Sequence, residues 1–225
     1  MNLNFKKLGS GHPLIILHGL FGSLDNWLTL GKRFSESGFC VYLIDQRNHG
    51  HSFHSDEHNY QLMSDDVLSI IKQENLCEVV LMGHSMGGKT AMHLALQHPE
   101  FISKLIVADI APKYYPVHHT QIIDAMQSID VLKITSRSEA EKILNSKLED
   151  TGTVQFLTKG LYRSHHHFAW RFNLDAIEKN IENVGEEIAS DFPFTHKTLF
   201  VRGSESNYLT DDDWFDIRTI FLNAE

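Results

Sequence analysis

Several features are scarce in this chain of 225 residues, and each scarcity excludes a class of protein. The two cysteines, Cys40 and Cys77, are too few for the disulfide framework of a small secreted domain. No apolar run approaches the roughly 18 residues of a membrane-spanning helix, and residues 1–7 lack the apolar stretch of a signal peptide. We therefore expect a cytoplasmic protein that does not insert into a membrane.

Positive charge is scarce as well, because 20 lysines and arginines stand against 29 acidic residues, for a net charge of −9. A nucleic-acid partner requires a basic face, so none is expected. The 15 histidines raise the question of a bound metal, but neither the H-E-x-x-H pattern nor paired C-x-x-C motifs occur. Consecutive side chains point in different directions, which favours polar surface for residues 165–167. No metal and no organic cofactor is therefore expected.

The first half of the chain alternates strand-like apolar runs with amphipathic, helix-like runs. Such continuous apolar runs are typical of strands covered on both faces, so the pattern predicts an α/β fold with a mostly parallel central sheet flanked by helices. The predicted strands are residues 14–17, 39–44, 79–82 and 105–108, with an edge strand at 2–8 and helices at 27–37 and 60–74.

The pattern changes after Pro112. Residues from about 117 to about 187 look helical throughout, and strand character returns at 199–201, before a helix around 211–221. The simplest account is a helical cap inserted into the α/β core, since ligands of such sheets bind at the carboxyl ends of the strands, which a cap covers. The predicted domains are 1–115 (first part of the core), 116–187 (the cap) and 188–225 (second part of the core).

The stretch Gly83-His84-Ser85-Met86-Gly87 carries the strongest chemical signal. A strand-like run precedes it and a helix-like run follows it, which is the context of a G-x-S-x-G nucleophile elbow. Glycine tolerates the backbone angles of such a turn, and the helix directs its N-terminal amides toward an oxyanion beside the hydroxyl. Ser85 is therefore the predicted nucleophile, with an ordinary tight turn as the alternative.

A serine nucleophile also needs an oxyanion hole for the negative charge that its attack creates. The glycine-rich run at residues 18–22 directly follows a predicted strand, and its Leu20 N–H can pair with the N–H of Met86, the residue after the nucleophile. Leu20 and Met86 are therefore the predicted backbone donors. A plain strand-end turn is the other interpretation of this run.

An acid must orient the histidine that activates the serine. Asp109 ends the strand after the elbow helix, and this strand returns the chain to the same edge of the sheet as Ser85. The usual alternative, an acid after the next strand, would fall in the turn at 202–207, where no aspartate occurs. Asp109 is thus the predicted acid, and a turn-capping role is its alternative.

No histidine of the chain is a convincing general base. His84 adjoins the nucleophile, but an elbow points neighbouring side chains elsewhere, and His18 is better suited to supporting the oxyanion loop. His196 precedes its strand and so lies at the opposite end of the sheet. The remaining candidates belong to a separate loop or to the predicted cap: His49, His51, His54, His118, His119 and residues 165–167.

Taken together, these motifs resemble those of the α/β-hydrolase fold enzymes, and especially of the YbfF-type esterases. The resemblance implies an α/β-hydrolase fold, supports Asp109 as the acid, and gives Arg47 and His49 a structural role in tying loops together near the site. It rests on residues 18–23, 45–52, 83–88, 108–112 and 170–173, which together span most of the chain.

In that family the catalytic histidine follows an eighth strand and precedes a final helix. This chain stops at residues 222–225, where that strand should begin. We therefore expect the C-terminal strand and helix, and the histidine between them, to be missing from these 225 residues.

The leading hypothesis is a serine hydrolase that cleaves carboxylic esters or acyl-CoA thioesters through a Ser–His–Asp triad and an acyl-enzyme. A small-molecule ester or thioester is its expected partner, and a homodimer is a further expectation. The main alternative is a catalytically impaired hydrolase fold that binds or regulates, since the base is missing. Another activity of the same fold, such as a carbon–carbon hydrolase or a lyase, is also open.

Overall fold

A seven-stranded sheet forms the centre of the computed structural model, which describes residues 3–117 and 119–225. Asn2, with which the predicted edge strand begins, and His118 lie outside the described residues. In chain order, the strands are β1 Phe5–Leu8, β2 His12–Leu17, β3 Phe39–Ile44, β4 Val79–His84, β5 Ile102–Ala108, β6 Leu161–Ser164, β7 His167–Trp170, β8 Phe194–Val201 and β9 Phe221–Ala224.

The strand order in this sheet is β1-β3-β2-β4-β5-β8-β9. Within the described residues, β1 pairs antiparallel with β3, and every other pairing in the sheet is parallel. The predicted fold class, a mostly parallel sheet flanked by helices, is therefore confirmed. The predicted strand at 39–44 matches β3 at both ends.

Helices pack on both faces of the sheet, because side chains of the central strands alternate between two apolar cores. Leu14 and Ile16 of β2 face the core that includes the first helix, whereas Ile15 and Leu17 face the larger core. Across residues 3–117 and 119–225, no helix has both the length and the hydropathy to span a bilayer. The helices are α1 Leu28–Glu36, α2 Tyr60–Gln73, α3 Met86–Gln97, α4 Thr120–Gln127, α5 Arg137–Asn145, α6 Thr151–Lys159, α7 Leu174–Lys179, α8 Ile181–Gly185 and α9 Trp214–Ile220.

The segment between β5 and β8 contains five of these helices, α4 to α8, together with the hairpin of β6 and β7. The expectation that this segment is helical throughout is therefore wrong for residues 161–170. The hairpin forms because Leu161 and Phe168 are buried among more exposed neighbours, and His165 turns the chain with a φ of +50°. The division into domains at 1–115, 116–187 and 188–225 stays a prediction.

The C-terminal residues also differ from the expectation of a missing strand. Phe221–Ala224 forms β9, which pairs parallel with β8 at the edge of the sheet. The sequence made this strand hard to recognise, because Phe221 continues the apolar pattern of α9 and only four residues follow the helix before Glu225. Phe221 is buried against Phe194 and Phe200, which explains why the chain leaves the helix there.

Candidate active site

Ser85 lies between β4 and α3 in a backbone conformation that few non-glycine residues adopt, with a φ of +53° and a ψ of −120°. Such a conformation costs on the order of 1–3 kcal/mol and persists only where the surrounding structure imposes it. Here the constraint is close packing. A Cβ on Gly83 would overlap the backbone of Gly87, and a Cβ on Gly87 would lie 2.5 Å from the carbonyl oxygen of His18. The predicted strand–turn–helix elbow is therefore present.

The backbone around the serine is tied to both neighbouring elements. Ser85 N–H donates to the carbonyl of Ala108 on β5 (3.0 Å), while the Ser85 carbonyl accepts from the N–H groups of Gly88 (2.8 Å) and Lys89 (3.1 Å) at the start of α3. Its side-chain hydroxyl makes no hydrogen bond to any residue in the described ranges. A fixed backbone thus carries a hydroxyl that is free to react.

Two backbone donors beside Ser85 are unused. The N–H groups of Leu20 and Met86 make no hydrogen bond within residues 3–117 and 119–225, although both residues are buried. Most backbone amides inside folded proteins are paired, so an unused pair that borders a cavity is available to an acceptor. The loop of residues 18–22 lies directly against the serine, since a Cβ on Gly19 would lie 3.2 Å from Cβ of Ser85. The geometry therefore suits an oxyanion between these two amides.

Two buried histidines hold the loop of residues 18–22 in this position. The Nε2 atom of His49 accepts the N–H of Phe21 (3.1 Å), and Nε2 of His18 accepts the N–H of Gln46 (3.0 Å). Because each Nε2 is an acceptor, each proton lies on Nδ1, which donates to a carbonyl: Gly19 for His18 (2.8 Å) and Arg47 for His49 (2.9 Å). Both rings are therefore neutral.

Burial explains why these rings stay neutral. It lowers the pKa of His18 to about 4 and that of His49 to about 3, against an ordinary value near 6.5. His58 continues the row, with its ring 5.7 Å from that of His49, and burial lowers its pKa to about 3. A neutral ring is needed here, since a charged one could not accept the N–H of Phe21.

Residues 45–52 connect this loop to the segment between β5 and β8. Arg47 forms a two-point ion pair with Asp66 of α2 (2.6 and 3.0 Å), which supports the structural role that the resemblance implies for it. The carbonyl of Asn48 accepts the N–H of Asn173 (2.8 Å), and the ring of Phe172 packs 5.1 Å from that of Phe21. The oxyanion loop is thus supported from the core and from the inserted segment together.

Asp109 lies next to Ser85 across two parallel strands. Ser85 and Asp109 directly follow His84 and Ala108, which are paired in the register of β4 and β5. Asp109 has a φ of +58°, and its carboxylate accepts the N–H of Gly203 (3.1 Å) from the turn after β8. The carboxylate therefore lies on the side of the serine that faces β8, opposite the oxyanion loop.

The histidines nearest to Ser85 make no hydrogen bond with its hydroxyl within the described residues. His84 turns its ring toward Trp27, at 6.2 Å, and burial lowers its pKa while the charge of Asp109 acts in the opposite direction. His196 donates to the carbonyl of Ile102 at the amino end of β5 (2.5 Å), far from the site as predicted. His118 lies outside the described residues.

His119 is the histidine whose position the sequence did not predict. It lines both cavities that contain Ser85, and its ring lies 6.4 Å from that of Phe21. The chain path from β5 to α4 brings it there, and no local pattern in the sequence reports that path. Tyr208, in the turn before α9, was missed for the same reason and lines the same two cavities.

Two cavities of different size meet at Ser85. The larger has a volume of about 650 Å³ and lies between the oxyanion loop and the inserted segment. The smaller is a slot of about 20 Å³ on the other side of the serine. The larger cavity falls within the range typical of small-molecule sites and is mainly apolar. Its apolar lining comes from Leu20, Phe21, Trp27, Leu30, Ile122, Phe156 and Leu157.

The described residues contain no cluster of three or more histidine, cysteine or acidic side chains that could hold a metal ion. His165 and His166 form the turn between β6 and β7, and His167 is the first residue of β7.

Comparison with known proteins shows which family the chain is similar to. A family model for the α/β-hydrolase fold matches residues 12–133. The chain is 36% identical to the sn-1-specific diacylglycerol lipase ABHD11 of Mus musculus over 219 residues, which is 94% of this chain and 71% of that protein. It is 31% identical to the esterase YbfF of Escherichia coli over 215 residues, covering 94% of this chain and 82% of that protein.

A solved structure agrees closely with the fold. The chain superposes on a marine microorganism esterase with a TM-score of 0.96 and 44% sequence identity. The match covers 100% of this chain and 89% of the other. The similarity therefore extends over the whole sheet and the inserted segment.

Proposed function

The chain belongs to the α/β-hydrolase fold family as a carboxylic ester hydrolase, and on that premise we propose that Ser85 is its nucleophile. We propose carboxylic esters and acyl thioesters as the substrate class. The observation that carries the proposal is the pair of unused amides, Leu20 and Met86, beside the strained serine. These donors suit the negative charge that forms on a carbonyl oxygen when a hydroxyl attacks it.

The reaction then has two halves. The Ser85 oxygen attacks the carbonyl carbon while a base removes its proton, and the N–H groups of Leu20 and Met86 hold the resulting oxyanion. Collapse of this intermediate expels the alcohol or thiol and leaves an acyl group on Ser85. Water, activated by the same base, releases the acid. Asp109 orients the base from the β8 side of the serine, and no step requires a metal or an organic cofactor.

The reaction still needs a general base, because no histidine among residues 3–117 and 119–225 is hydrogen-bonded to the Ser85 hydroxyl. We propose a histidine beyond residue 225, as the resemblance implies. The direction of β9 supports this assignment. Glu225 extends the parallel ladder with β8, because its N–H donates to the Thr198 carbonyl (3.0 Å) and its carbonyl accepts the N–H of Phe200 (2.8 Å). The chain here runs toward the edge of the sheet where Asp109 lies.

Cellular setting and assembly are further parts of the proposal. We propose a cytoplasmic location, which the two unpaired cysteines, Cys40 and Cys77, support. A homodimer stays a prediction, and sedimentation velocity at two protein concentrations tests it.

The decisive experiment is the replacement Ser85→Ala. In a form of the protein that contains its base, we expect hydrolysis of p-nitrophenyl esters to fall by a factor on the order of 10⁴ or more and covalent labelling by a fluorophosphonate to disappear. The matched control is Ser69→Ala on α2, where an exposed serine bonds the carbonyl of Asp65 in its own helix. Retained labelling of Ser85→Ala, or an equal loss in Ser69→Ala, would contradict the proposal.

A second experiment tests the source of the base. Added imidazole should accelerate fluorophosphonate labelling of the 225-residue chain if its own histidines do not serve Ser85. Labelling that ignores imidazole and is lost in His119→Phe would instead make His119 the base.

A catalytically impaired binding protein is the second candidate, and the observation in its favour is the Ser85 hydroxyl without a histidine partner in the described residues. Absence of labelling with and without imidazole, together with retained binding of an ester analogue, would favour it. Nothing in residues 3–117 and 119–225 favours a carbon–carbon hydrolase or a lyase.

A further inference from the structure

Lys89 is a buried lysine one turn after Ser85 on α3, and the reaction proposed above does not use it. The residue is only 1% exposed. Its Nζ donates to the carbonyl oxygens of Lys113 (2.9 Å), Gly185 (3.1 Å) and Glu186. The ammonium therefore has three backbone acceptors, which matches its three N–H donors.

Two aromatic rings complete the surroundings of this charge. The Nζ atom lies 4.9 Å from the ring centre of Tyr115 and 5.8 Å from that of Tyr60, distances at which a cation is attracted to a ring face. Burial nevertheless lowers the pKa of Lys89 to about 8, with Glu186 and Glu187 acting in the opposite direction. An apolar side chain would fill such a position without the desolvation penalty of a charge, so the lysine needs a reason beyond packing.

The three acceptors belong to the two ends of the segment between β5 and β8. We call residues 111–116 the entry neck and residues 184–188 the exit neck. The necks pair with each other: the N–H of Tyr115 donates to the Gly185 carbonyl (2.8 Å), and the N–H of Ile188 donates to the Pro112 carbonyl (2.7 Å). Lys89 bonds to both necks at this junction and connects them to the helix that begins at Ser85.

The necks also form the wall of the small slot beside Ser85. Tyr115 from the entry neck and Val184 and Gly185 from the exit neck line it, together with Ser85 itself. Tyr60 reinforces the wall by donating its hydroxyl to the Val184 carbonyl (2.6 Å). A shift of either neck would therefore change the space next to the nucleophile.

We propose that Lys89 is a positioning residue that clamps both necks to α3 and thereby sets the shape of the slot beside Ser85. The proposal rests on the proposed function in one respect, namely that Ser85 is the reacting group. The clamp itself is a property of the fold and can be measured without any activity.

The test is amide hydrogen exchange on Lys89→Met, which keeps a long side chain but removes the charge and its three hydrogen bonds. We expect protection factors at the amides of Tyr115 and Ile188 to fall roughly tenfold or more, because charge-assisted hydrogen bonds are lost. Amides of β4 and β5 should change less than threefold. Lys89→Arg, which keeps the charge, should retain most of the protection at the necks.

Lys113→Met is the matched control, because the Lys113 ammonium pairs with Asp213 (2.7 Å) on the outside of the same neck. It should leave the exchange of Tyr115 and Ile188 within threefold of the wild type. Unchanged neck protection in Lys89→Met would overturn the proposal, and so would an equal loss across β4 and β5, which marks a general structural role. If Lys89→Met does not fold, Lys89→Gln decides by the same criteria.

Labelling by a fluorophosphonate connects the clamp to the site. Lys89→Met should raise the reagent concentration for half-maximal labelling roughly tenfold and leave the maximal rate within threefold, since the slot is displaced but the nucleophile is not. A fall in the maximal rate alone would contradict the positioning role. A wild type that does not label even with added imidazole would count against Ser85 as nucleophile, while the exchange experiment would still decide on Lys89.

Discussion

The two sides of Ser85 are built in opposite ways. On the oxyanion side, residues 18–22 after β2 and residues 45–49 after β3 are buried, and His18 and His49 use both ring nitrogens on backbone partners. On the acid side, residues 202–208 are almost entirely exposed, and the Asp109 carboxylate is linked to them through the N–H of Gly203. The oxyanion side is therefore held in place by buried hydrogen bonds, whereas the acid side depends on an exposed turn.

The sheet beneath the site shows the same contrast. The strands β2, β3 and β4 are buried on both faces for most of their length. In β8 and β9 many residues are exposed, among them Leu199 (41%), Val201 (45%) and Leu222 (52%). Backbone N–H donors stabilise a developing negative charge best when they are already fixed in position, because they then need no reorganisation during the reaction. We therefore expect changes on the oxyanion side to cost stability and changes on the acid side to cost activity.

Acid should produce the largest effect, because it charges the buried histidines of the oxyanion side. His18, His49 and His58 are neutral in the fold, with pKa values lowered to about 4, 3 and 3, but take up protons near pH 6.5 when unfolded. The unfolded state thus binds more protons below pH 6.5, and the free energy of unfolding falls as the pH decreases toward 4. The slope is on the order of 4 kcal/mol per pH unit for three histidines. Urea unfolding at pH 7.5, 6 and 5 measures it.

His58→Phe is the control for this titration. The Nε2 atom of His58 has no hydrogen-bond partner within the described residues. Removing this atom therefore leaves no other group without a partner on that side of the ring. The variant should lose about a third of the slope. A urea midpoint that stays constant between pH 7.5 and 5 would contradict the assignment of three neutral rings.

His49→Phe should produce the next largest effect. The replacement keeps a buried ring but leaves the N–H of Phe21 and the carbonyl of Arg47 without partners. Two stranded backbone groups should lower the free energy of unfolding by about 3 kcal/mol. His51→Phe is the matched control, because His51 is exposed in the same loop and bonds the Arg171 side chain. Equal destabilisation by the two variants would mean that the cost does not come from the buried hydrogen bonds of His49.

The sequence predicted those features around Ser85 that a short motif or a general rule of the fold indicates. The continuous apolar run at 39–44 predicted β3 to the residue, and the glycines on both sides of Ser85 predicted the elbow. The position of Asp109 followed from the rule that parallel strands end at one edge. The first two depend on residues close together in the chain, and the third on a general rule of parallel sheets.

The parts that were not predicted depend on contacts between distant residues. The hairpin at 161–170 has strands of four residues, too short for alternation to stand out from helical periodicity. The proximity of His119 to Ser85 depends on the path of the chain after β5. The clamp by Lys89 joins residues that are 24 to 97 positions apart, so no spacing along the sequence could predict it.

Asp109→Asn should separate activity from stability on the acid side. The asparagine side-chain oxygen can still accept the N–H of Gly203, and asparagine tolerates the positive φ of this position better than most residues. The free energy of unfolding should therefore change by less than about 1 kcal/mol. Ester hydrolysis in a form of the protein that contains its base should fall by a factor on the order of 10² to 10⁴. Destabilisation comparable to that of His49→Phe would contradict the contrast.

The smallest effect is expected for Leu199→Thr on β8. The Leu199 side chain is partly exposed, and threonine is a good strand former, so the free energy of unfolding should change by less than about 0.5 kcal/mol. The same replacement at Leu81, buried in β4, should cost about 3 kcal/mol, because it strands a hydroxyl and opens a cavity. Urea unfolding of both variants measures the difference. Similar costs at the two positions would mean that β8 is as firmly packed as β4, which would leave the acid side of Ser85 no more tolerant of change than the oxyanion side.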